Sequence, residues 1–107
     1  MLRITAVDEP GRITLKLEGK LRGAWVKELE RVWHLIRTRP EHRLAQVDLS
    51  AASSVDERGK SVLTVMCRNG VKLTAAGPMM KAMVEEIRRA AADRNSEPVA
   101  KMAAMHH

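Results

Sequence analysis

A short polar stretch between two apolar segments holds the residue types that could do chemistry. It reads SVDERGKSV, covers residues 54 to 62, and contains two acids, two bases, a glycine and two serines. Paired acids can act in acid–base catalysis, and a charged turn can bind another protein. The stretch therefore marks a chemical site, a docking site or only the beginning of a helix.

Helix capping accounts for both acids. Ser54 and Glu57 fit the S-x-x-E capping box, in which each side chain binds a free backbone N–H of the first turn. Asp56 is an equally good N-cap, with Glu57 one step inside the helix. Capping by either residue leaves no need for a catalytic role of the carboxylates.

Gly59 is not explained by capping. A glycine within the first helical turn costs about 1 kcal/mol relative to alanine. A missing side chain at such a place indicates close approach of another backbone or side chain, from this chain or from another protein. Because Arg58 and Lys60 flank it, this end of the helix is expected to face water or a partner.

Three further residues are candidates for catalysis, namely Cys67, His34 and His42. Cys67 lies near the predicted end of a helix, where the negative end of the helix dipole disfavours a thiolate. His34 falls on a charged helix and His42 in a loop, so their spacing indicates no Cys–His pair. No paired motif for a metal site is present either. We therefore expect neither enzymatic activity nor a metal or other cofactor.

The hydrophobic pattern predicts an α/β chain of order β-β-α-β-α-β-α. Alternation at Ile13, Leu15 and Leu17 is typical of a strand with one buried face, and spacings of three and four residues are typical of helices. Helices that connect strands imply right-handed crossovers and a mixed four-stranded sheet, with the first hairpin antiparallel and helices packed against the sheet. The predicted strands are 2–7, 12–19, 44–50 and 71–77, and the predicted helices are 22–38, 56–68 and 78–93.

The length of 107 residues fits one domain, which we place at 1–92, followed by a C-terminal tail at 93–107 of uncertain order. The chain has no Phe or Tyr and only two Trp, so its core must be aliphatic and rich in methionine. Trp25 and Trp33 share the apolar side of the first helix, and both are expected in that core.

The net charge of +6 raises the question of nucleic-acid binding. The 19 basic residues are spread along the whole chain, which is more typical of a solvated surface than of a binding arm. A single cysteine suggests a reducing compartment, and no apolar run is long enough for a signal peptide or a membrane span. We expect a cytoplasmic protein without direct membrane insertion.

Three segments together resemble the STAS domain, the family named for sulfate transporters and anti-sigma factor antagonists. They read ITLKLEGKLRGAWVKELE (13–30), VDLSAASSVDERGKSVL (47–63) and NGVKLTAAGPMMKAMVEEI (69–87), so the similarity covers the chain to about residue 92. The resemblance implies a mixed sheet with helices packed on it, which agrees with the fold predicted from periodicity. It also implies a bacterial regulatory protein that works by binding another protein.

The chain departs from the family pattern at the residue that carries the switch. In anti-sigma factor antagonists the loop after the VDLS-like strand reads Asp-Ser-Ser-Gly, and a partner kinase phosphorylates the first serine. Asp56 and Gly59 match the aspartate and the glycine, while Glu57 replaces the phosphorylated serine and Arg58 the second one. Glutamate cannot be phosphorylated and carries less charge than phosphoserine. The resemblance therefore implies a permanently set module or one regulated elsewhere.

The main hypothesis is a non-catalytic interaction module that docks a protein partner through the loop 51–56 and the following helix. The partner would resemble an anti-sigma factor, a kinase or a transporter component. Alternatives are a small STAS subunit of a lipid-transport ATP-binding complex and, less favoured, a nucleic-acid-binding domain. Copies of the chain could also pair through the sheet edge or the methionine-rich last helix into a homodimer. The predicted partner-binding residues are Ser53, Ser54, Asp56, Glu57, Arg58, Gly59, Lys60 and Ser61, with Thr64 on the same exposed face.

Overall fold

The computed structural model of the protein describes residues 1–38 and 43–105, and from residue 93 onward it describes the backbone alone. The element order is the predicted one, β-β-α-β-α-β-α. The elements are β1 Leu2–Glu9, β2 Arg12–Leu21, α1 Ala24–Arg37, β3 Leu44–Val55, α2 Glu57–Arg68, β4 Lys72–Thr74 and α3 Pro78–Met105. Pro40 and His42, which were predicted in a polar connection, lie outside the described residues, as do the terminal His106 and His107.

The four strands form one mixed sheet in the order β1-β2-β3-β4. β1 and β2 are antiparallel and joined by a two-residue turn, in which Gly11 adopts a φ of 78° that favours glycine. β2 pairs with β3 and β3 with β4 in parallel, with helices as the connections. The predicted α/β class and mixed sheet are confirmed.

One face of the sheet carries the core, and the opposite face is polar. The buried residues of β2 are Ile13, Leu15, Leu17 and Leu21, whereas Lys16 and Lys20 between them are exposed. The helices supply the other half of the core, with Leu29, Leu63 and Ile87 among their buried residues. Burial of apolar surface between these two layers is the main stabilisation of the fold.

Two details differ from the sequence-based predictions and bear on the site. β3 continues to Val55, so residues 51–55 extend the strand and the predicted loop 51–56 is wrong. These small side chains show no apolar period, but their backbone pairs with the end of β2, with a register shift between Gly19 and Lys20. The last helix also runs on to Met105 and passes the predicted end at 93.

The two tryptophans have different environments. Trp33 is 9% exposed and Arg37 lies over its ring, with the guanidinium carbon 5.0 Å from the ring centroid. Trp25 is 36% exposed. The prediction of a core position is therefore correct for Trp33 and wrong for Trp25, which lies to one side of the buried stripe of α1 formed by Val26, Leu29, Trp33 and Ile36.

Candidate functional site

The site begins where β3 passes into α2 with only Asp56 between them. Asp56 is the N-cap of α2, and its Oδ1 accepts a hydrogen bond of 2.8 Å from the backbone N–H of Gly59. Its own N–H donates to the carbonyl of Leu21 at the end of β2. These two bonds fix the direction in which α2 leaves the sheet.

The other oxygen of the same carboxylate reaches a second helix. Asp56 Oδ2 accepts a hydrogen bond of 2.9 Å from the backbone N–H of Gly23, the residue that precedes α1. The bonds to Gly23 and Gly59 lower the pKa of Asp56 and outweigh the opposing effect of desolvation, and the charges of Arg22 and Arg58 add a smaller lowering. One anionic side chain therefore joins the N-termini of two helices.

Ser54 takes no part in capping. Its hydroxyl oxygen is buried and has no hydrogen-bond partner among the described residues. The choice between the two caps predicted from sequence is thus settled in favour of Asp56, and the capping box with Ser54 does not form.

Gly59 is buried because the end of the sheet packs directly against it. A Cβ built on Gly59 would lie 2.8 Å from Val55 Cγ1 and 3.0 Å from the carbonyl oxygen of Leu21. The close neighbour that the sequence indicated is therefore part of this chain. Gly59 contributes to the surface only indirectly, by letting the first turn of α2 lie close to β2 and β3.

The exposed part of the junction consists of charged side chains on the first turn of α2. Glu57 has a side chain that is 91% exposed, and Arg58 is exposed beside it. The side chain of Lys60 is partly buried, and its ammonium group lies 3.4 Å from a carboxylate oxygen of Glu57 and 3.9 Å from one of Glu86 on α3. This corner therefore has a mixed charge, with Glu57 and Arg58 both exposed.

The hydroxyl groups near the corner fall into two kinds. Ser61 donates to the carbonyl of Glu57 and Thr64 to that of Lys60, so both bond back to their own helix. Ser53, on β3, is exposed. Ser53 and Ser61 are thus both exposed, but the hydroxyl proton of Ser61 is engaged in the bond to its own helix.

A groove of about 420 Å³ adjoins the corner and separates the end of β3 from α3. The α3 side of this groove, where Met79 is 84% exposed, is not among the partner-binding residues predicted from the sequence. The run GPMM before the helix could have indicated it, because methionines at a helix start have no preceding turn to cover them. The lining residues are Ser53, Ser54, Val55, Lys60, Met79, Met80, Ala82, Met83 and Glu86.

The candidate catalytic residues are not brought together with this corner. Cys67 is half-buried in the last turn of α2, at the opposite end from Asp56, and His34 is exposed on α1. Within residues 1–38 and 43–105, no group of three or more His, Cys, Asp or Glu side chains could hold a metal ion. No helix of the described chain is both long enough and apolar enough to cross a membrane.

Comparisons with known proteins give no family assignment. No protein-family model matches the chain, and no curated protein matches it significantly.

Proposed function

We propose that the protein is a non-catalytic protein-interaction module of the STAS type, similar to an anti-sigma factor antagonist, and that it acts in the cytoplasm. The support comes from the resemblance of residues 13–87 to that family and from a fold with the expected order of strands and helices. The partner contact is assigned to the exposed first turn of α2 and the adjoining end of β3.

The observation that carries this proposal is the contrast between a fixed backbone and accessible side chains at one corner. Asp56 holds the N-termini of α1 and α2, while Glu57 and Arg58 project into solvent. A surface on a rigid support loses little conformational entropy when it binds, which favours recognition of another protein. No step of bond making or breaking is needed for this role.

Regulation at the corner would differ from that in the resembling proteins. The position of the phosphorylated serine is occupied by Glu57, whose carboxylate carries a permanent single charge. We propose that the corner is set in one binding state by this charge. A kinase acting on the exposed Ser53 would provide a different route of control.

The test is a comparison of charge-reversed variants with a matched control. After capture of a partner from cell extract, its affinity is measured by calorimetry for wild type and for Glu57→Lys with Arg58→Glu. The control is Lys27→Glu with Glu30→Lys, which also reverses two exposed charges without altering the net charge, but on α1. We expect at least tenfold weaker binding, about 1.4 kcal/mol, for the corner variant alone.

Equal binding by the corner variant and wild type would contradict the proposed surface. The nature of the captured protein also separates the alternatives, since an anti-sigma factor or kinase indicates signalling and a transporter ATPase indicates lipid transport. A salt-dependent shift of labelled DNA or RNA at physiological ionic strength, without any protein partner, would instead favour nucleic-acid binding.

A further inference from the structure

The outer edge of β1 has the features of a strand that pairs with another strand. β1 has eight residues and occupies one end of the strand order, and its pairing with β2 is continuous from Leu2 to Glu9. β2 and β3, in contrast, are paired with three register shifts. Natural edge strands are often blunted by bulges, prolines or charged side chains, and β1 contains no bulge, proline or lysine but carries Arg3, Asp8 and Glu9.

The pairing with β2 determines which backbone groups of β1 point outward. The carbonyl of Met1 accepts a hydrogen bond of 3.0 Å from the N–H of Lys20 on β2. Because hydrogen-bonded pairs alternate along an antiparallel ladder, the odd-numbered residues of β1 bond to β2. Even-numbered residues, including Ile4 and Ala6, direct their N–H and C=O groups away from the sheet.

The charges on β1 are self-complementary about Ala6. Arg3 precedes Ala6 by three residues, and Glu9 follows it by three. If two copies of β1 pair antiparallel around a two-fold axis at Ala6, Arg3 of each copy lies opposite Glu9 of the other. All four side chains then lie on the polar face of the joined sheet. The same register places Thr5 opposite the exposed Val7, a favourable pair for strands.

An apolar flank of α1 lies on the same side of the molecule. Trp25, Val32 and Leu35 share one side of the helix, and Trp25 and Leu35 are 36% and 48% exposed. Arg37 lies on the opposite side of the buried stripe of α1. It lines a depression together with Asn69, the residue that follows α2. The apolar flank therefore faces away from α2 and toward the β1 side of the sheet.

We propose that two copies of this chain associate through their β1 edges into a two-fold dimer, with Ala6 opposite Ala6 and the apolar flanks of α1 adjoining the joint. The two four-stranded sheets become one continuous sheet. Arg3 of each copy pairs with Glu9 of the other, and Glu9 keeps its contact with Arg12, 3.7 Å away in its own chain. This inference is independent of the proposed partner surface, which is formed by the first turn of α2 and the end of β3 and includes no residue of β1.

Sedimentation velocity over a wide range of concentration tests the association. We expect a particle of twice the 12.0 kDa mass of the chain. Ala6→Pro removes one outward donor and blocks the edge, while its N–H is not needed by β2, so the variant should fold and remain monomeric. Ala6→Ser, which keeps the N–H, is the matched control and should dimerise. A monomeric wild type, or a dimer unchanged by Ala6→Pro, would overturn the proposal.

Cysteine crosslinking tests the register, in a Cys67→Ser background that leaves no other thiol. Opposed hydrogen-bonded residues have Cα atoms about 5.5 Å apart, within the range of roughly 4.4–6.8 Å that a disulfide spans. Ala6→Cys should therefore form a disulfide between copies on mild oxidation, whereas Thr5→Cys should not. The reverse result would overturn the pairing.

Charge reversal tests the ion pairs between the two copies. Arg3→Glu alone should shift the association toward monomer, because it places two acids opposite each other. Arg3→Glu combined with Glu9→Arg should restore the dimer. Circular dichroism on each variant checks that the fold is kept, and failure of the double variant to recover would speak against the opposition of Arg3 and Glu9.

Discussion

Asp56 accepts a hydrogen bond from the backbone of Gly23, a residue 33 positions earlier in the chain, at a distance of 2.9 Å. The same carboxylate accepts from Gly59 at 2.8 Å. A negative charge at a helix N-terminus interacts favourably with the helix dipole, and here it does so for α1 and α2 together. Asp56 therefore links the entry of one helix to that of the next.

Replacement of Asp56 should destabilise the fold to a degree that depends on the new side chain. Asp56→Ala leaves both N–H groups without this partner, whereas Asp56→Asn keeps one oxygen acceptor but loses the charge. We expect the urea midpoint to decrease in the order wild type, Asn, Ala, with the slope of the transition unchanged. Equal midpoints for all three would show that water replaces the carboxylate at no cost.

The stability provided by Asp56 should decrease in acid. Because its folded-state pKa lies below the ordinary value of 3.8, the folded protein holds the charged form more strongly than the unfolded chain does. The contribution is complete above that value and is lost as the pH falls through the lower folded-state pKa. Urea unfolding at pH 7 and at several values below pH 4 should show a gap between wild type and Asp56→Asn that narrows on acidification.

Asp48 adds a second acid-sensitive contribution, on the polar face of the sheet. Its Oδ1 accepts hydrogen bonds from the hydroxyl of Ser50 at 2.6 Å and from the N–H of Ser50 at 2.9 Å, and these bonds lower the pKa of Asp48. Asp56→Asn should therefore lose less stability on acidification than wild type does, but some loss should remain because of Asp48. Asp48→Asn in the same background should flatten the profile further.

Gly59→Ala should destabilise the protein although alanine is the better helix former. The helix gains about 1 kcal/mol from the substitution, but the new methyl group meets Val55 Cγ1 and the backbone carbonyl of Leu21. Overpacking of this kind typically costs 1–3 kcal/mol, so we expect a net loss of about 1 kcal/mol in urea unfolding. Adding Val55→Ala removes one of these two close contacts. The double variant should therefore lose less free energy of unfolding than the sum of the losses in the two single variants. Additive effects would contradict the steric explanation.

The sequence predicted the fold well because its periodicity comes from burial. In β2 the apolar residues recur every two residues, and in α1 they recur every three or four. Most of these residues are the ones that pack between the sheet and the helices. The extension of β3 to Val55 could not be predicted in this way, since AASSV carries no such period and its strand conformation depends on pairing with β2. The structure thus narrows the predicted docking loop to Asp56 alone.

The geometry of the candidate site was predictable only in part. Capping by Asp56 is local and follows from residue type, as does the need for a small residue at Gly59. The bond to Gly23 joins segments far apart in sequence, and the packing of Leu21 on Gly59 depends on how β2 ends beside β3. Contacts of this kind leave no spacing signal in a single chain.

The two tryptophans should differ in energetic weight and in fluorescence. Trp33→Ala removes a buried ring and its contact with Arg37, so we expect a loss of about 3–5 kcal/mol in the free energy of unfolding. Trp25→Ala should cost about 1 kcal/mol, because the indole is only partly covered. Trp33→Phe leaves Trp25 as the only tryptophan, and Trp25→Phe leaves Trp33. In dilute protein, acrylamide should quench the fluorescence of Trp25 in the first variant more strongly than that of Trp33 in the second. Stronger quenching of Trp33 would mean that α1 packs on the sheet with its other flank.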